Sequence, residues 1–134
     1  MGGAFVRRTL LALVVAILMA GMSARAHHSF ARYYLEDQSI TIEGEVREFQ
    51  YRSPHAILLF AVHAPDGSTR TYEAEWSNPR RLGGQGVDKG TLKPGDVVVV
   101  TGSPGRVGSE NKVHLKGIRR PADEWSWTSR RRRR

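Results

Sequence analysis

From residue 40 onward the chain is a series of short segments in which apolar and polar residues alternate or apolar residues run together. Alternation predicts a strand with one buried face, and a short apolar run predicts a strand buried on both faces. Five strands are predicted, the first beginning at residue 40 and the others spanning residues 55–63, 69–76, 97–101 and 113–118. Residues 55–63 are apolar on both faces, so we expect this second strand to be central.

The residues between these segments are typical of turns and helix ends. Ala64-Pro65-Asp66-Gly67-Ser68 predicts a hairpin, because Asp-Gly readily adopts the positive φ angles of a tight turn. Asn78-Pro79 predicts a helix cap followed by a first-turn proline, and two glycines soon afterwards keep that helix short. Gly44 marks a bulge or bend in the first strand, and the Gly/Ser/Pro-rich residues 102–111 predict a loop.

Three strands, a short helix and two more strands are the element order of the OB barrel. We therefore predict an all-β fold, a small five-stranded OB-like barrel with a short helix between strands 3 and 4. An open β-sandwich is the alternative. The predicted organisation is a signal peptide (1–26), an N-terminal arm (27–38), an OB-like barrel domain (39–120) and a C-terminal tail rich in Trp and Arg (121–134). In that tail Trp125 and Trp127 are expected to share one face of a short extended segment.

The first 26 residues have the features of a cleavable signal peptide. Arg7 and Arg8 precede an unbroken apolar run over residues 10–20, and Ala24-Arg25-Ala26 supplies the small residues of a cleavage site. The apolar run is shorter than the roughly 20 residues that span a bilayer, which disfavours the alternative of a retained anchor. We predict a periplasmic protein exported by the general secretory route.

The formal net charge of +8 is confined to the two ends of the chain. Arg7, Arg8 and Arg25 carry three of these charges and Arg130–Arg134 carry five, so residues 27–129 are formally neutral. A neutral folded part argues against a nucleic-acid partner. The arginine tail is interpreted as a solvated terminus or as a weak contact with an anionic membrane, worth about 1 kcal/mol per basic residue near the surface. The chain has no cysteine, so packing must supply its stability.

The sequence contains neither a nucleophile elbow, nor a phosphate-binding glycine loop, nor a cysteine ligand set. We therefore predict a non-enzymatic binding protein. Its distinctive residues are five histidines, all beyond the predicted cleavage site: His27, His28, His55, His63 and His114.

Cleavage after Ala26 would make His27 the first residue, and its α-amino and Nδ1 nitrogens could then chelate one metal ion. A further imidazole would complete the three-nitrogen site called a histidine brace, which suits the tetragonal preference of Cu(II). We predict that His27 and His55 bind copper, with His28 as an auxiliary ligand. His63 is the alternative third ligand, and about 26 Å of strand separates it from His55, so at most one of the two belongs to the site. His55 is favoured because it lies at a junction between loop and strand that an N-terminal arm could reach. His114 is expected on a solvent-facing strand position, and a mobile polar terminus is the alternative interpretation of the histidine pair.

The other predicted class of function is a binding module without metal. OB barrels use one sheet face and two loops to bind extended ligands. The side chains of Arg47, Tyr51, Glu73 and Glu75 are candidates for such a face, and the partner would be a peptide, a glycan or an envelope protein.

Several short motifs together resemble a family of small bacterial periplasmic proteins known as a domain of unknown function. These are His27-His28-Ser29-Phe30, Gly44-Glu45-Val46, Ser53-Pro54-His55-Ala56, Asn78-Pro79-Arg80-Arg81-Leu82 and Leu92-Lys93-Pro94-Gly95-Asp96. The resemblance covers about residues 26–118 and implies a periplasmic location and a similar fold, but no activity. The chain departs from the family pattern at Ser53, where Asn is usual, and at Gln85-Gly86-Val87, where a Gly-Trp pair is usual.

Overall fold

The structure is a computed structural model that describes residues 29–129. Its elements are helix α1 (Ser29–Tyr33), strands β1 (Ile40–Gln50), β2 (Ile57–His63) and β3 (Thr69–Glu75), helix α2 (Pro79–Gly83), strand β4 (Val97–Pro104), a 3-10 helix (Gly108–Glu110), and strands β5 (Lys112–Arg120) and β6 (Trp125–Thr128). The chain divides into two compact units, residues 1–32 and 33–134. Of the first unit, the structure describes only residues 29–32, which belong to α1; the second unit contains the sheet.

Strands β1 to β5 close into a barrel. Hydrogen-bonded neighbours follow the order β3-β2-β1-β4-β5, and a parallel pairing between β3 and β5 completes the ring. The long strand β1 pairs with β4 along its first half and with β2 along its second half. Helix α2 follows β3 and precedes β4, as in the OB fold. The predicted OB-like barrel is therefore confirmed.

The barrel interior is filled by the inward-facing side chains of the alternating strands. Fully buried side chains come from every barrel strand, from α2 and from the segment after α2; the largest are Trp76, Phe60, Leu58, Leu82, Val46, Val87, Val98, Val100 and Val113. Helix α2 begins as predicted: Oδ1 of Asn78 accepts a hydrogen bond from the backbone N–H of Arg81 at 2.9 Å, and Pro79 occupies the first turn. The cap thereby holds the helix that carries Leu82 into the core.

Two strand glycines are needed because neighbouring backbones approach closely. The bulge predicted at Gly44 lies instead at Arg47, where the register with β2 shifts. At Gly44 an added Cβ would lie 2.5 Å from the carbonyl oxygen of Ala61 on β2.

The loop predicted over residues 102–111 is wrong for its first three residues, which continue β4. A Cβ at Gly102 would overlap the backbone carbonyl of His114 on β5, so glycine permits the β4–β5 pairing there.

Strand β6 extends the sheet beyond the barrel by pairing antiparallel with β5. Trp125 and Trp127 are both half-buried and lie on the same side of β6, as predicted. The Trp127 ring lies edge-on to Trp76 at 5.0 Å between centroids, and its Nε1 donates to Oε1 of Gln85 at 2.9 Å. Trp127 therefore covers the core at Trp76. Among residues 29–129, no helix has the length and apolar character needed to cross a membrane.

Candidate functional site

The predicted ligands fall into two groups. His27 and His28 lie outside the described residues. His55 lies just before β2, immediately after the cis peptide bond between Ser53 and Pro54, and its side chain is one-third exposed (34%). His63 ends β2, where its Nδ1 lies 3.1 Å from the hydroxyl of Thr69. The two histidines thus lie at opposite ends of the seven-residue strand β2.

His55 is held by a carboxylate that a buried tyrosine also binds. Nδ1 of His55 lies 2.6 Å from Oε1 of Glu75, and the hydroxyl of Tyr34 donates to Oε2 of Glu75 at 2.6 Å. Burial, reinforced by the hydrogen bond to Glu75 and its charge, raises the pKa of Tyr34 far above its usual range, so the hydroxyl stays protonated and donates. Because a carboxylate only accepts hydrogen bonds, Nδ1 of His55 carries the proton. Metal coordination by His55 would therefore use Nε2.

A second imidazole is held in the same way. Nδ1 of His114 lies 2.7 Å from Oε1 of Glu36, and the ammonium of Lys116 donates to Oε2 of Glu36 at 2.5 Å. Burial lowers the pKa of His114 and outweighs the opposing effect of Glu36, so the ring is neutral at pH 7. Burial disfavours ionisation of Glu36, but the hydrogen bonds from Lys116 and His114 outweigh it and lower the pKa of Glu36. The His114–Glu36 contact is therefore a neutral imidazole donating to a carboxylate.

The two imidazole–carboxylate pairs meet at Tyr34. Glu75 on β3 and His114 on β5 are partners in the parallel pairing that closes the barrel. The Tyr34 hydroxyl reaches Glu75, and the Tyr34 ring lies 5.6 Å from the His114 ring between centroids. We call the five residues Tyr34, Glu36, His55, Glu75 and His114 the Tyr34 cluster.

The segment after α1 is fixed to the end of β4, and this places Tyr34 and Glu36 in the cluster. Tyr34 forms a β-bridge with Gly105, and the backbone N–H of Leu35 donates to the carbonyl of Pro104 at 2.9 Å. Tyr34 is 2% exposed. Residues 33–36, which belong to the predicted arm, therefore pack against the end of β4.

Only His55 among the five cluster residues is predicted as a ligand from the sequence. The expectation that His114 faces solvent is wrong, because its side chain is only 16% exposed. The strand alternation does point Glu75 and His114 outward, away from buried Ala74 and Val113. These two side chains are covered by Tyr34 and Glu36, which come from a segment without a periodic pattern of apolar residues. No sequence signal marks that contact, which joins residues 78 positions apart for Glu36 and His114.

The side chains suggested as an exposed binding face have different environments. Arg47 is exposed and pairs with Glu45 on its own strand at 3.0 Å. Tyr51 is half-buried, and its hydroxyl lies within 2.8 and 2.9 Å of two backbone carbonyls, one in α2 and one shortly after it. Glu75 belongs to the Tyr34 cluster. Tyr51 therefore supports α2 and Glu75 supports the cluster, whereas Arg47 contacts only its own strand and Glu73 lies on β3 opposite Leu59 and Lys112.

The cluster does not by itself make a metal site. In the part of the chain that the structure describes, no three His, Cys, Asp or Glu side chains are grouped to hold a metal ion. The cluster contributes two imidazoles whose Nδ1–H groups are bound by carboxylates, the arrangement that commonly orients histidine ligands. A complete site would need further donors from outside the described residues.

A separate groove of about 440 Å³ lies on strands β1, β4, β5 and β6. The residues that line it include Thr41, Thr101 and Ser126, which carry hydroxyl groups, and Trp127. A volume of this size is within the range of small-molecule sites.

Comparisons with solved structures find matches of low sequence identity. A small single-stranded DNA-binding protein from Streptomyces coelicolor matches with a TM-score of 0.44 and 20% identity, covering 62% of this chain and 90% of that chain. A mitochondrial single-stranded DNA-binding protein from S. cerevisiae matches with a TM-score of 0.43 and 16% identity, covering 69% and 97%. A tRNA agmatidine synthetase in its apo form matches with a TM-score of 0.41 and 21% identity, covering 61% of this chain and only 18% of the synthetase.

No curated protein matches the sequence. A protein-family model, in contrast, matches residues 14–114, a range that contains all five histidines and ends at His114. Arg130–Arg134 lie beyond the matched range. The chain therefore belongs to a family of unknown function, DUF6152.

Proposed function

We propose that the protein is an exported, non-enzymatic binding protein that holds Cu(II) through His27 and His55. The ligands are the α-amino and Nδ1 nitrogens of His27 and Nε2 of His55, with His28 as an auxiliary ligand. Removal of residues 1–26 by a signal peptidase would create the amine, whose ordinary pKa of about 7.7–8.0 leaves part of it unprotonated near neutral pH. Nitrogen donors in a planar arrangement favour Cu(II) over other common divalent ions.

The observation that carries this proposal is the anchoring of His55. Its Nδ1–H donates to Glu75, and Glu75 is in turn fixed by the buried hydroxyl of Tyr34. Partners of this kind hold an imidazole in one tautomer and orientation, and their loss typically lowers metal affinity about 10- to 100-fold. His63 differs, because its Nδ1 lies beside an exposed hydroxyl on the neighbouring strand rather than a carboxylate.

A Cu(II) titration of the exported protein tests the proposal. The protein is purified from the periplasmic fraction, its N-terminus is sequenced, and metal is removed with EDTA before titration against a competing chelator. We expect binding of one Cu(II) per chain, loss of at least about tenfold in affinity for His55→Ala, and no change for the matched variant His63→Ala. Equal affinities for wild type, His55→Ala and His63→Ala would contradict the assignment of His55.

The groove beside β6 favours a second candidate function, a ligand-binding module without metal. Trp127 and the surrounding hydroxyls suit a peptide or a glycan, which combine apolar faces with hydrogen-bonding groups. Such a ligand would raise the melting temperature of the EDTA-treated protein by mass action, and a change in tryptophan fluorescence that is lost in Trp127→Phe would report its binding. A single-stranded oligonucleotide is the comparison ligand, and the formal neutrality of residues 27–129 predicts no stabilisation by it.

A further inference from the structure

We infer that His114 is a further copper ligand, held in place by Glu36, so that two imidazoles of the barrel unit bind the same ion. This inference rests on the proposed copper function and adds a residue that the sequence had placed on a solvent-facing strand. The ligand atom is Nε2 of His114, because Nδ1 is bound to Glu36.

The two imidazoles are held in equivalent ways. Each donates Nδ1–H to one oxygen of a glutamate, at 2.6 Å for His55 and 2.7 Å for His114. The second oxygen of each glutamate accepts from another side chain, the Tyr34 hydroxyl for Glu75 and the Lys116 ammonium for Glu36. Both rings are therefore fixed by carboxylates that are themselves fixed, which is how outer partners orient histidine ligands. No other described histidine has this arrangement, since His63 bonds a hydroxyl.

The Tyr34–Glu75 pair also links the two imidazoles. Glu75 bonds His55 and is the cross-strand partner of His114. Tyr34 bonds Glu75 through its hydroxyl and contacts the His114 ring through its own ring. The closure of the barrel by β3 and β5 therefore brings the two histidines to one edge, although they are far apart in the sequence.

The number of nitrogen donors also suits Cu(II). The amine and ring of His27 supply two nitrogens, and His55 supplies a third. Adding Nε2 of His114 gives four nitrogen donors, which fills the equatorial plane that Cu(II) prefers. His28 would remain the auxiliary ligand.

Two sets of matched variants test the inference on the full exported chain, with CuCl₂ as the probe. The first compares His114→Ala with His55→Ala and His63→Ala. The second compares Glu36→Gln, which removes the carboxylate behind His114, with Glu110→Gln, whose exposed carboxylate pairs with Lys112 at 3.6 Å. We expect His114→Ala and Glu36→Gln each to weaken Cu(II) binding by about tenfold or more, and the two controls to bind as wild type.

A measurement on the wild-type protein tests the inference without requiring that the variants fold. In imidazole NMR spectra, substoichiometric Cu(II) should broaden the ring signals of His55 and His114 before those of His63, since a paramagnetic ion relaxes the nuclei nearest to it. Circular dichroism reports whether each variant is folded. If His114→Ala is unfolded, the broadening in the wild type decides whether His114 binds copper.

The outcomes separate the inference from the function on which it rests. Copper binding that needs His55 but is unchanged in His114→Ala, or His114 signals that persist while those of His55 broaden, would overturn the inference alone. An exported wild-type protein that binds no copper would overturn the proposed function, and the inference with it.

Discussion

Replacing Tyr34 with phenylalanine removes one hydroxyl from the centre of the Tyr34 cluster and nothing else. That hydroxyl donates to Glu75 at 2.6 Å from a side chain that is 2% exposed. A hydrogen bond to a charged group contributes about 1.5–3 kcal/mol to stability. The Glu75 side chain is 24% exposed, so water can partly replace the hydroxyl and the expected loss lies near ~1.5 kcal/mol.

Urea unfolding of the EDTA-treated protein measures this loss. For a domain of this size a loss of about 1.5 kcal/mol lowers the midpoint by roughly 0.5–1.5 M, with an unchanged m-value. The neighbouring residue supplies the control, because Tyr33 is 62% exposed and Tyr33→Phe should change stability by less than about 0.5 kcal/mol. Equal midpoints for the two variants would show that the Tyr34–Glu75 bond does not hold the cluster together.

Three further predictions concern the barrel and its pH dependence. Gly102→Ala forces a Cβ against the backbone of β5 and should destabilise the protein by about 1–3 kcal/mol. Gly108→Ala is the control and should be nearly neutral, because nothing lies within 4 Å of the added Cβ. Equal urea midpoints for the two variants would refute the close approach at Gly102. Asn78→Ala removes the cap of α2 and should cost about 1 kcal/mol in the same assay, and a loss below about 0.3 kcal/mol would contradict the cap. Burial lowers the pKa of His114 from its usual 6.5, so the unfolded chain takes up that proton first and stability falls as the pH drops below about 6.5 toward the folded pKa. In metal-free protein this part of the stability–pH curve should flatten in His114→Gln, and a curve that keeps the wild-type slope would refute the assignment.

The fold was predictable because its signals are local. Two-residue alternation identified the strands, the Asn78-Pro79 pair identified the start of α2, and the order of these elements then pointed to the OB barrel. The error at residues 102–104 has a physical cause. Glycine, serine and proline in succession are typical of a loop, but Gly102 is required inside a strand because the β5 backbone occupies the space of its side chain.

The candidate site was predictable only in part. His55 stood out because it follows a strand break and is one of five histidines in the chain. Glu75 and His114 are ordinary outward positions in the strand pattern, and only the β3–β5 pairing makes them neighbours. Tyr34 and Glu36 reach them because backbone hydrogen bonds tie their segment to the end of β4. Such long-range contacts depend on the closed barrel and leave no periodic trace in the sequence.

Electron paramagnetic resonance of the Cu(II)-loaded exported protein tests the central claim most directly. We predict a mature chain that begins at His27 and an axial Cu(II) spectrum with coupling to nitrogen ligands. That spectrum should lose part of its nitrogen coupling in His55→Ala and keep all of it in His63→Ala. A mature chain that begins at another residue, or a spectrum that His55→Ala leaves unchanged, would contradict the account.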